Sequence, residues 1–281
     1  MTDMRVPVMP GGAPDTLVQA RDALRDVVPR LVSLVRSVPD ASAASVGTWT
    51  VGDVAAHLSQ AFRLDIDAVA GRPVPEATVT AAGMGDFTAK MLAGDGERDP
   101  AALAERIAAL AEEFDEAASR SRAATVDWLQ GARLPSSAVA CHLLQECLVH
   151  GLDIARAADR PWPVQRQHGR LAFEEGGLQL VAALPPTAFV DQEKAGSFRA
   201  RFDLRVRGGG RTTLVFDGGS MTLGPAGARD VDAHISGDPF ALMLVLFGRQ
   251  GIAKPILGGN LAAWGRRPWK IPRMLTAISL P

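Results

Sequence analysis

The sequence contains few cysteines. Of its 281 residues only two, Cys141 and Cys147, are cysteines. They lie on one predicted helix and are separated by about 9 Å along its axis, which is too far for a disulfide bond. We therefore expect two reduced thiols and a cytoplasmic location.

The chain also lacks an excess of charge and any long apolar run. Its formal net charge is -1, which argues against a protein dedicated to nucleic-acid binding. The longest apolar run, Phe240 to Phe247, is far shorter than the roughly 20 residues of a membrane helix. The first fifteen residues contain no apolar segment typical of a signal peptide. We expect neither membrane insertion nor export.

The spacing of the apolar residues predicts that the first half of the chain is helical. Residues 1–13, punctuated by Pro and Gly, are predicted to be a flexible tail. Beyond them, apolar residues recur at three- and four-residue spacing. Four amphipathic helices with one long connection, over residues 71–96, predict a four-helix bundle in a domain of residues 14–163. The predicted helices are 15–38, a second beginning at Thr50, 100–130 and 136–158.

The start of the second helix is marked by a capping box. Thr50 is the predicted N-cap, and Asp53 completes the T-x-x-D pattern. Trp49, just before the cap, is predicted to pack on Val54 as a hydrophobic staple. The cap and the staple together predict where the helix begins and which of its residues face inward.

The second half has a different pattern. A helix near 167–183 is followed by "FRARFDLRV", in which apolar and charged residues alternate as in a half-buried strand. Glycine-rich turns then separate further short segments. We predict an α+β domain over residues 164–281 with an antiparallel sheet, so that the fold class is α followed by α+β. The other predicted elements are strands at 211–217, 220–223 and 230–236, a helix at 239–247 and a short closing helix from Pro272.

Polar residues form an unexpected stripe on the fourth helix. "CHLLQECLVHGLD" places His142, Glu146, His150 and Asp153 on one side of a largely apolar helix. Glu146 and His150 are one turn, about 6 Å, apart. His57 on the second helix shares the face that enters the bundle. Because unpaired charges are costly in a core, these inward side chains need partners.

Two arrangements satisfy that need. A divalent metal ion bound by His57, Glu146 and His150, with a fourth position for water or substrate, matches a catalytic zinc site. Alternatively, Glu146 and His150 form a hydrogen-bonded pair and His57 is satisfied separately. The spacing alone leaves both open.

Two segments resemble the signature segments of the mycothiol-dependent maleylpyruvate isomerase family. These are "TWTVGDVAAHL" and "ECLVHGLDIARA", and the resemblance extends over residues 14–160. It implies a DinB-like bundle in which a divalent metal, expected to be zinc, is bound by His57, Glu146 and His150. Asp153 is either a hydrogen-bond partner of His150 or a plain polar residue at the rim. His142 is left outside the set of ligands.

The second half resembles the sterol-carrier-protein-type domain. The stretches that carry this resemblance are "DVDAHISGDPFALMLVLFGRQG" and "GGNLAAWGRR". The resemblance implies that Arg249, in the Gly248-Arg249 pair, is a catalytic residue that holds an anionic substrate. The alternative is a cation that merely stabilises the end of a helix.

The family resemblance implies an enzyme with mycothiol, or a similar small thiol, as its second cofactor. The thiol would add to a small electrophile such as maleylpyruvate, leading either to cis-trans isomerisation or to S-transfer. A second hypothesis is a carrier of apolar ligands with a vestigial metal site, suggested by the apolar helix at 240–247. A third is a non-catalytic interaction protein built on the bundle.

Overall fold

The structure, a computed structural model, describes residues 14–75, 80–129 and 132–280. The predicted tail, residues 1–13, lies outside the described residues. The first half is helical, with two small hairpins between helices. Its helices are α1 (Pro14–Arg36), α2 (Val51–Val69), α3 (Ala81–Gly94), α4 (Pro100–Arg120) and α5 (Ser136–Ala157), and its strands are β1 (Ala44–Val46), β2 (Trp49–Thr50), β3 (Thr125–Trp128) and β4 (Ala132–Pro135).

Four of these helices form the predicted bundle. Helices α1 and α2 each pack against both α4 and α5, so α1 and α2 lie diagonally opposite each other. Apolar residues at helical spacing, such as Leu31, Phe62 and Ile107, are fully buried where the helices meet. No helix of the described residues combines the length and the apolarity needed to span a membrane.

Two predicted boundaries in this half are wrong. The long connection predicted over 71–96 contains a helix, α3, that was not predicted. The helix predicted over 100–130 ends at Arg120, and the β3–β4 hairpin follows it. Val126 and Trp128 are buried while their neighbours on β3 are exposed. This two-residue period belongs to a strand, and it explains why the helix does not continue.

The predicted capping box at the start of α2 is confirmed. The backbone N–H of Asp53 donates to Thr50 Oγ1 at 3.1 Å, and the backbone N–H of Thr50 donates to Asp53 Oδ2 at 2.9 Å. These bonds satisfy backbone donors that the first helical turn leaves free. The start of α2, and with it the position of His57, is thereby fixed.

A helical run follows the bundle and packs on α5. It comprises α6 (Arg166–Arg170), a π-helical segment (Leu171–Gly177) and α7 (Leu178–Ala183), which agrees with the helix predicted near 167–183. A side chain at Gly176 would place its Cβ 2.9 Å from the backbone of Cys141. Glycine at this position therefore allows the π-helical segment to approach the backbone of α5 closely. The domain boundary near residue 163 stays a prediction.

The second half is built on a five-stranded sheet with the strand order β7-β6-β5-β8-β9. The predicted α+β class is confirmed, but the sheet is mixed: β5 and β8 are parallel, and the other three pairs are antiparallel. After β7 the chain crosses back before β8 begins, so β8 runs in the direction of β5. The strands are β5 (Arg199–Val206), β6 (Arg211–Asp217), β7 (Met221–Gly224), β8 (Ala233–Gly237) and β9 (Leu261–Gly265), and the helices are α8 (Gln192–Ala195), α9 (Pro239–Leu246), α10 (Ala253–Leu257) and α11 (Lys270–Ala277).

One carboxylate is buried on the outer face of this sheet. The side chain of Asp203 is 0% exposed. It accepts hydrogen bonds from Arg205 at 3.0 Å, from His234 at 2.6 Å and from Arg211. Burial opposes its charge, but these donors outweigh burial and lower the pKa of Asp203 to about 2. The group ties β5 to β6 and β8.

We predict that Asp203→Ala lowers the free energy of unfolding by about 1–3 kcal/mol at neutral pH, because it leaves three donors without their acceptor. The folded-state pKa of Asp203 lies below its ordinary value of 3.8. The contribution of Asp203 to the free energy of unfolding should therefore be fully present above about pH 4 and be lost as the pH falls from about 4 to about 2. Urea unfolding of the wild type and of Asp203→Ala over this pH range measures the difference in the free energy of unfolding.

Asp217→Ala is the matched control. Asp217 forms an ion pair with Arg199 at 2.7 Å, but its side chain is 65% exposed. Its loss should change the free energy of unfolding by less than about 0.5 kcal/mol. Equal effects of the two substitutions would contradict the role assigned to Asp203.

Candidate metal centre and cavity

Helices α2 and α5 bring the three predicted metal ligands together. Nε2 of His57 lies 3.1 Å from Oε2 of Glu146, and Nε2 of His150 lies 3.3 Å from the same oxygen. One potential ligand atom from each of the three residues lies within 4.8 Å of the other two. The imidazole rings meet edge to face, with centroids 5.0 Å apart. The three donors therefore converge on one small region.

Trp49 covers this region from one side. Its ring centroid lies 5.1 Å from that of His57 and 6.1 Å from that of His150. Trp49 belongs to β2, directly ahead of the capping box that starts α2. The capped helix start thus places an aromatic ring against both imidazoles. Such a ring limits access of water and fixes the orientation of the two histidines.

Burial and the histidines decide the charge of Glu146. Burial opposes ionisation, but hydrogen bonds from His150 and His57 outweigh it and hold the pKa of Glu146 well below its usual range. Burial is also the main reason why the pKa of His57 is lowered. Near neutral pH Glu146 is therefore a carboxylate and His57 an uncharged imidazole, which are the forms in which these two groups bind metal ions.

Asp153 connects His150 to Arg249. Oδ2 of Asp153 lies 3.1 Å from Nδ1 of His150 and accepts a hydrogen bond from the guanidinium of Arg249 at 3.2 Å. Burial opposes a charge on His150, yet its hydrogen bonds to Asp153 and Glu146 raise its pKa to about 9. The structure thus places Asp153 as a hydrogen-bond partner of His150 and places Arg249 beside the same centre.

His142 also belongs to this network, which the sequence did not predict. Its Nδ1 lies 2.9 Å from Oδ2 of the buried Asp65, and its Nε2 lies 3.5 Å from Oε1 of Glu146. The indole N–H of Trp128 donates to the other oxygen of Asp65 at 3.0 Å. Burial opposes protonation of His142, but Asp65 outweighs it and raises the pKa of His142 to about 9.

One sequence signal was available for Asp65. It follows His57 on α2 by two steps of four residues, through Ala61, and so lies on nearly the same helix face. No comparable signal existed for Trp128, because β3 was predicted to be helix. A network of three polar groups, His142, Asp65 and Trp128, therefore reaches the carboxylate oxygen of Glu146 that does not face His150.

The donor set fits a divalent metal ion. Both ring nitrogens of His150 face carboxylate oxygens. With a pKa of about 9, the ring without a metal ion carries a proton on each nitrogen near neutral pH and donates to both carboxylates. A cation bound at Nε2 would leave the proton on Nδ1, where it serves Asp153. Two imidazoles and one carboxylate are also the protein ligands of several catalytic zinc sites.

The two cysteines do not take part in the centre. Cys141 and Cys147 are free and fully buried. Burial raises the pKa of both thiols far above neutrality. Neither provides a thiolate, so a sulfur nucleophile at this centre would have to come from another molecule.

The three candidate ligands and Arg249 line a cavity of about 470 Å³. Its walls come from the bundle and from the second half of the chain, including the inner face of the sheet. This volume is within the range typical of small-molecule sites, about 300–1,000 Å³. The cavity places a bound molecule next to the centre.

Comparisons with known proteins agree with this fold. Residues 21–155 match the family model for the mycothiol maleylpyruvate isomerase N-terminal domain. The crystal structure of a mycothiol-dependent maleylpyruvate isomerase aligns with a TM-score of 0.51 and 16% identity, over 84% of this chain and 90% of that chain. A histidine-to-alanine mutant of that enzyme aligns with a TM-score of 0.54 and 13% identity, over 88% and 92%. No curated protein gave a significant match.

The two structural alignments extend beyond the bundle into the sheet, so they show that the order of a helical and an α+β part is shared. At these identities the structures establish the fold alone. The family model supplies the relationship, because it matches the segment that contains both the capping box and the His57, Glu146 and His150 cluster. Residues 21–155 of the chain therefore form a domain that is similar to the N-terminal domain of mycothiol maleylpyruvate isomerases.

Proposed function

We propose that this protein is a metal-dependent enzyme that uses a low-molecular-weight thiol, mycothiol in the family that it resembles, to isomerise or to thiolate an electrophilic substrate. The observation that carries the proposal is the convergence of His57, Glu146 and His150, within 4.8 Å of one another, on a cavity of about 470 Å³. The two free cysteines are too deeply buried to replace an external thiol.

His57, Glu146 and His150 would bind the metal ion, for which zinc is the expected choice. A bound divalent ion supplies a site at which an incoming thiol loses its proton near neutral pH. Asp153 fixes the ring of His150 through its hydrogen bond to Nδ1. Trp49 shields the two imidazoles from water.

Arg249 is the proposed residue for negative charge on the substrate. Its side chain is 17% exposed, lines the cavity and donates to Asp153 at 3.2 Å. A guanidinium has donors to spare after one such contact, so it can also bind a carboxylate or a carbonyl oxygen. Charge that develops on that oxygen during thiol addition is thereby stabilised.

The chemistry follows from these positions. The thiolate adds to one carbon of a conjugated double bond, and the electron pair moves to the carbonyl oxygen near Arg249. Rotation about the resulting single bond and loss of the thiol give the trans isomer. Protonation of the neighbouring carbon instead leaves the thiol on the product, which is S-transfer. We further propose a cytoplasmic enzyme with a bundle domain at 14–163 and a sterol-carrier-protein-like domain at 164–281.

A carrier of apolar ligands is the second candidate, because the sheet side of the cavity is lined mainly by apolar residues. Analysis of freshly purified protein distinguishes the two functions. The carrier predicts co-purified lipid in mass spectra together with an empty metal site, whereas the enzyme predicts bound metal and thiol consumption that a chelator abolishes.

We predict about one divalent ion per purified chain, with a loss of most of it in Glu146→Gln and in His150→Ala, because each substitution removes one of three protein ligands. Chelator-sensitive thiol addition should fall with it. Elemental analysis by mass spectrometry measures the metal. Glu113→Gln is the control, since Glu113 lies on the bundle surface in an ion pair with Arg63. Wild-type metal content and activity in both centre variants would refute the proposal.

We predict that His142→Gln and Asp65→Asn each weaken metal binding by about 10- to 100-fold, because they release the side of Glu146 that faces away from His150. Chelator competition titrations measure the affinity. His234→Gln is the matched control, because His234 lies on the sheet and hydrogen-bonds to Asp203. An unchanged affinity in both variants would mean that the network does not position Glu146.

We predict that Arg249→Gln raises KM for an anionic substrate such as maleylpyruvate by roughly tenfold or more and lowers kcat/KM further, while the metal content stays near that of the wild type. Steady-state kinetics with and without added zinc measure this. Arg166→Gln, at a side chain that is 68% exposed, serves as the control. Unaltered kinetics in Arg249→Gln would leave Arg249 as a helix-end cation.

A further inference from the structure

The cavity has two chemically different sides. The bundle contributes the histidines, Glu146, Asp65 and several neutral polar groups. Of the described residues after the bundle that line the cavity, only Arg249 has a polar side chain. The others are apolar or glycine. The cavity therefore has one reactive polar end and an extensive apolar wall.

The apolar wall is part of the sheet. Leu204 on β5, Leu214 on β6 and Met221 on β7 lie on three neighbouring strands and are at most 5% exposed. Leu178 and Val181 on α7 line the same cavity, and α7 packs against β7. The inner face of the sheet and one helix thus enclose space that continues from the metal centre.

The sheet side of the cavity offers little to balance the charge of a second substrate carboxylate. Among the described residues that line the cavity there is no lysine, and Arg249 is the one arginine. Arg249 is already paired with Asp153. The histidines lie at the bundle end of the cavity, so a second substrate carboxylate on the sheet side would face apolar side chains without a counter-charge, which is unfavourable in a buried site.

We propose that the electrophile has an apolar tail: its reactive end is an α,β-unsaturated carbonyl that lies between the metal centre and Arg249, and its hydrocarbon part lies along Leu204, Leu214 and Met221. This inference rests on the proposed function and specifies its substrate class. The thiol sulfur forms a bond to the β-carbon, the C=C π bond is consumed, and the thiol proton ends on the α-carbon. No further reactant is needed.

A homologous series of 2-enals with four, six, eight and ten carbons tests whether the cavity binds a hydrocarbon tail. The double bond and the carbonyl are the same throughout, so differences in kcat/KM report how the tail is bound. With the metal-loaded enzyme and mycothiol, kcat/KM should rise by roughly two- to fourfold per added methylene, as expected for a hydrocarbon that leaves water. The ten-carbon enal should exceed the dianion maleylpyruvate by about tenfold or more.

Two variants on α7 localise the effect. Val181→Trp fills part of the apolar space, and the ratio of kcat/KM for the ten-carbon over the four-carbon enal should fall by about tenfold. Ala182→Trp is the matched control, because Ala182 is exposed and does not line the cavity. Its ratio should equal that of the wild type. Thermal unfolding of both variants checks that they are folded.

The outcomes separate this inference from the proposed function. A flat or falling enal series, together with chelator-sensitive activity towards maleylpyruvate, would overturn the apolar substrate class and leave the proposed function in place. Absence of chelator-sensitive thiol addition to every probe would overturn both. A rising series whose slope is reduced in Val181→Trp but kept in Ala182→Trp supports the proposal, and the wild-type series decides the matter even if Val181→Trp does not fold.

Discussion

The rest of the site depends on the carboxylate of Glu146, which lies largely enclosed between α2 and α5 and accepts from both His57 and His150. A buried carboxylate is unfavourable unless several donors surround it. The bundle therefore has to hold α2 and α5 in a fixed register, and the capping box at Thr50 and Asp53 sets one end of that register. The candidate metal centre, the cavity beside it and the position of Trp49 against both imidazoles are all connected to this contact.

Two further chains of hydrogen bonds connect this carboxylate to its surroundings. One runs through His142 and Asp65 to Trp128 on the β3–β4 hairpin. The other runs from His150 through Asp153 to Arg249, which comes after α9 in the second half of the chain. A charge placed at the centre is thus felt by groups in both halves. This arrangement explains why a cavity between them can combine a reactive end with an apolar wall.

The outer face of the sheet carries a second carboxylate that surrounding donors keep ionised. Asp203 is completely covered, yet it stays ionised because two arginines and His234 surround it. The sequence indicated only an alternating strand with a polar face. Whether a polar residue on such a face is exposed or enclosed depends on side chains from neighbouring strands, here β6 and β8, and those neighbours are not adjacent in the sequence.

The sequence by itself determined the helical periodicity of the bundle, the cap at Thr50, the alternation in β5 and the inward faces of His57, Glu146 and His150, because these depend on local spacing. Only the tertiary structure decided the parallel pairing of β5 with β8, the inclusion of His142 and Asp65, and the position of Arg249 beside Asp153. Each of these depends on contacts between residues far apart in the chain: 77 positions for His142 and Asp65, and 96 for Arg249 and Asp153. Packing of whole elements, rather than local pattern, brings such residues together.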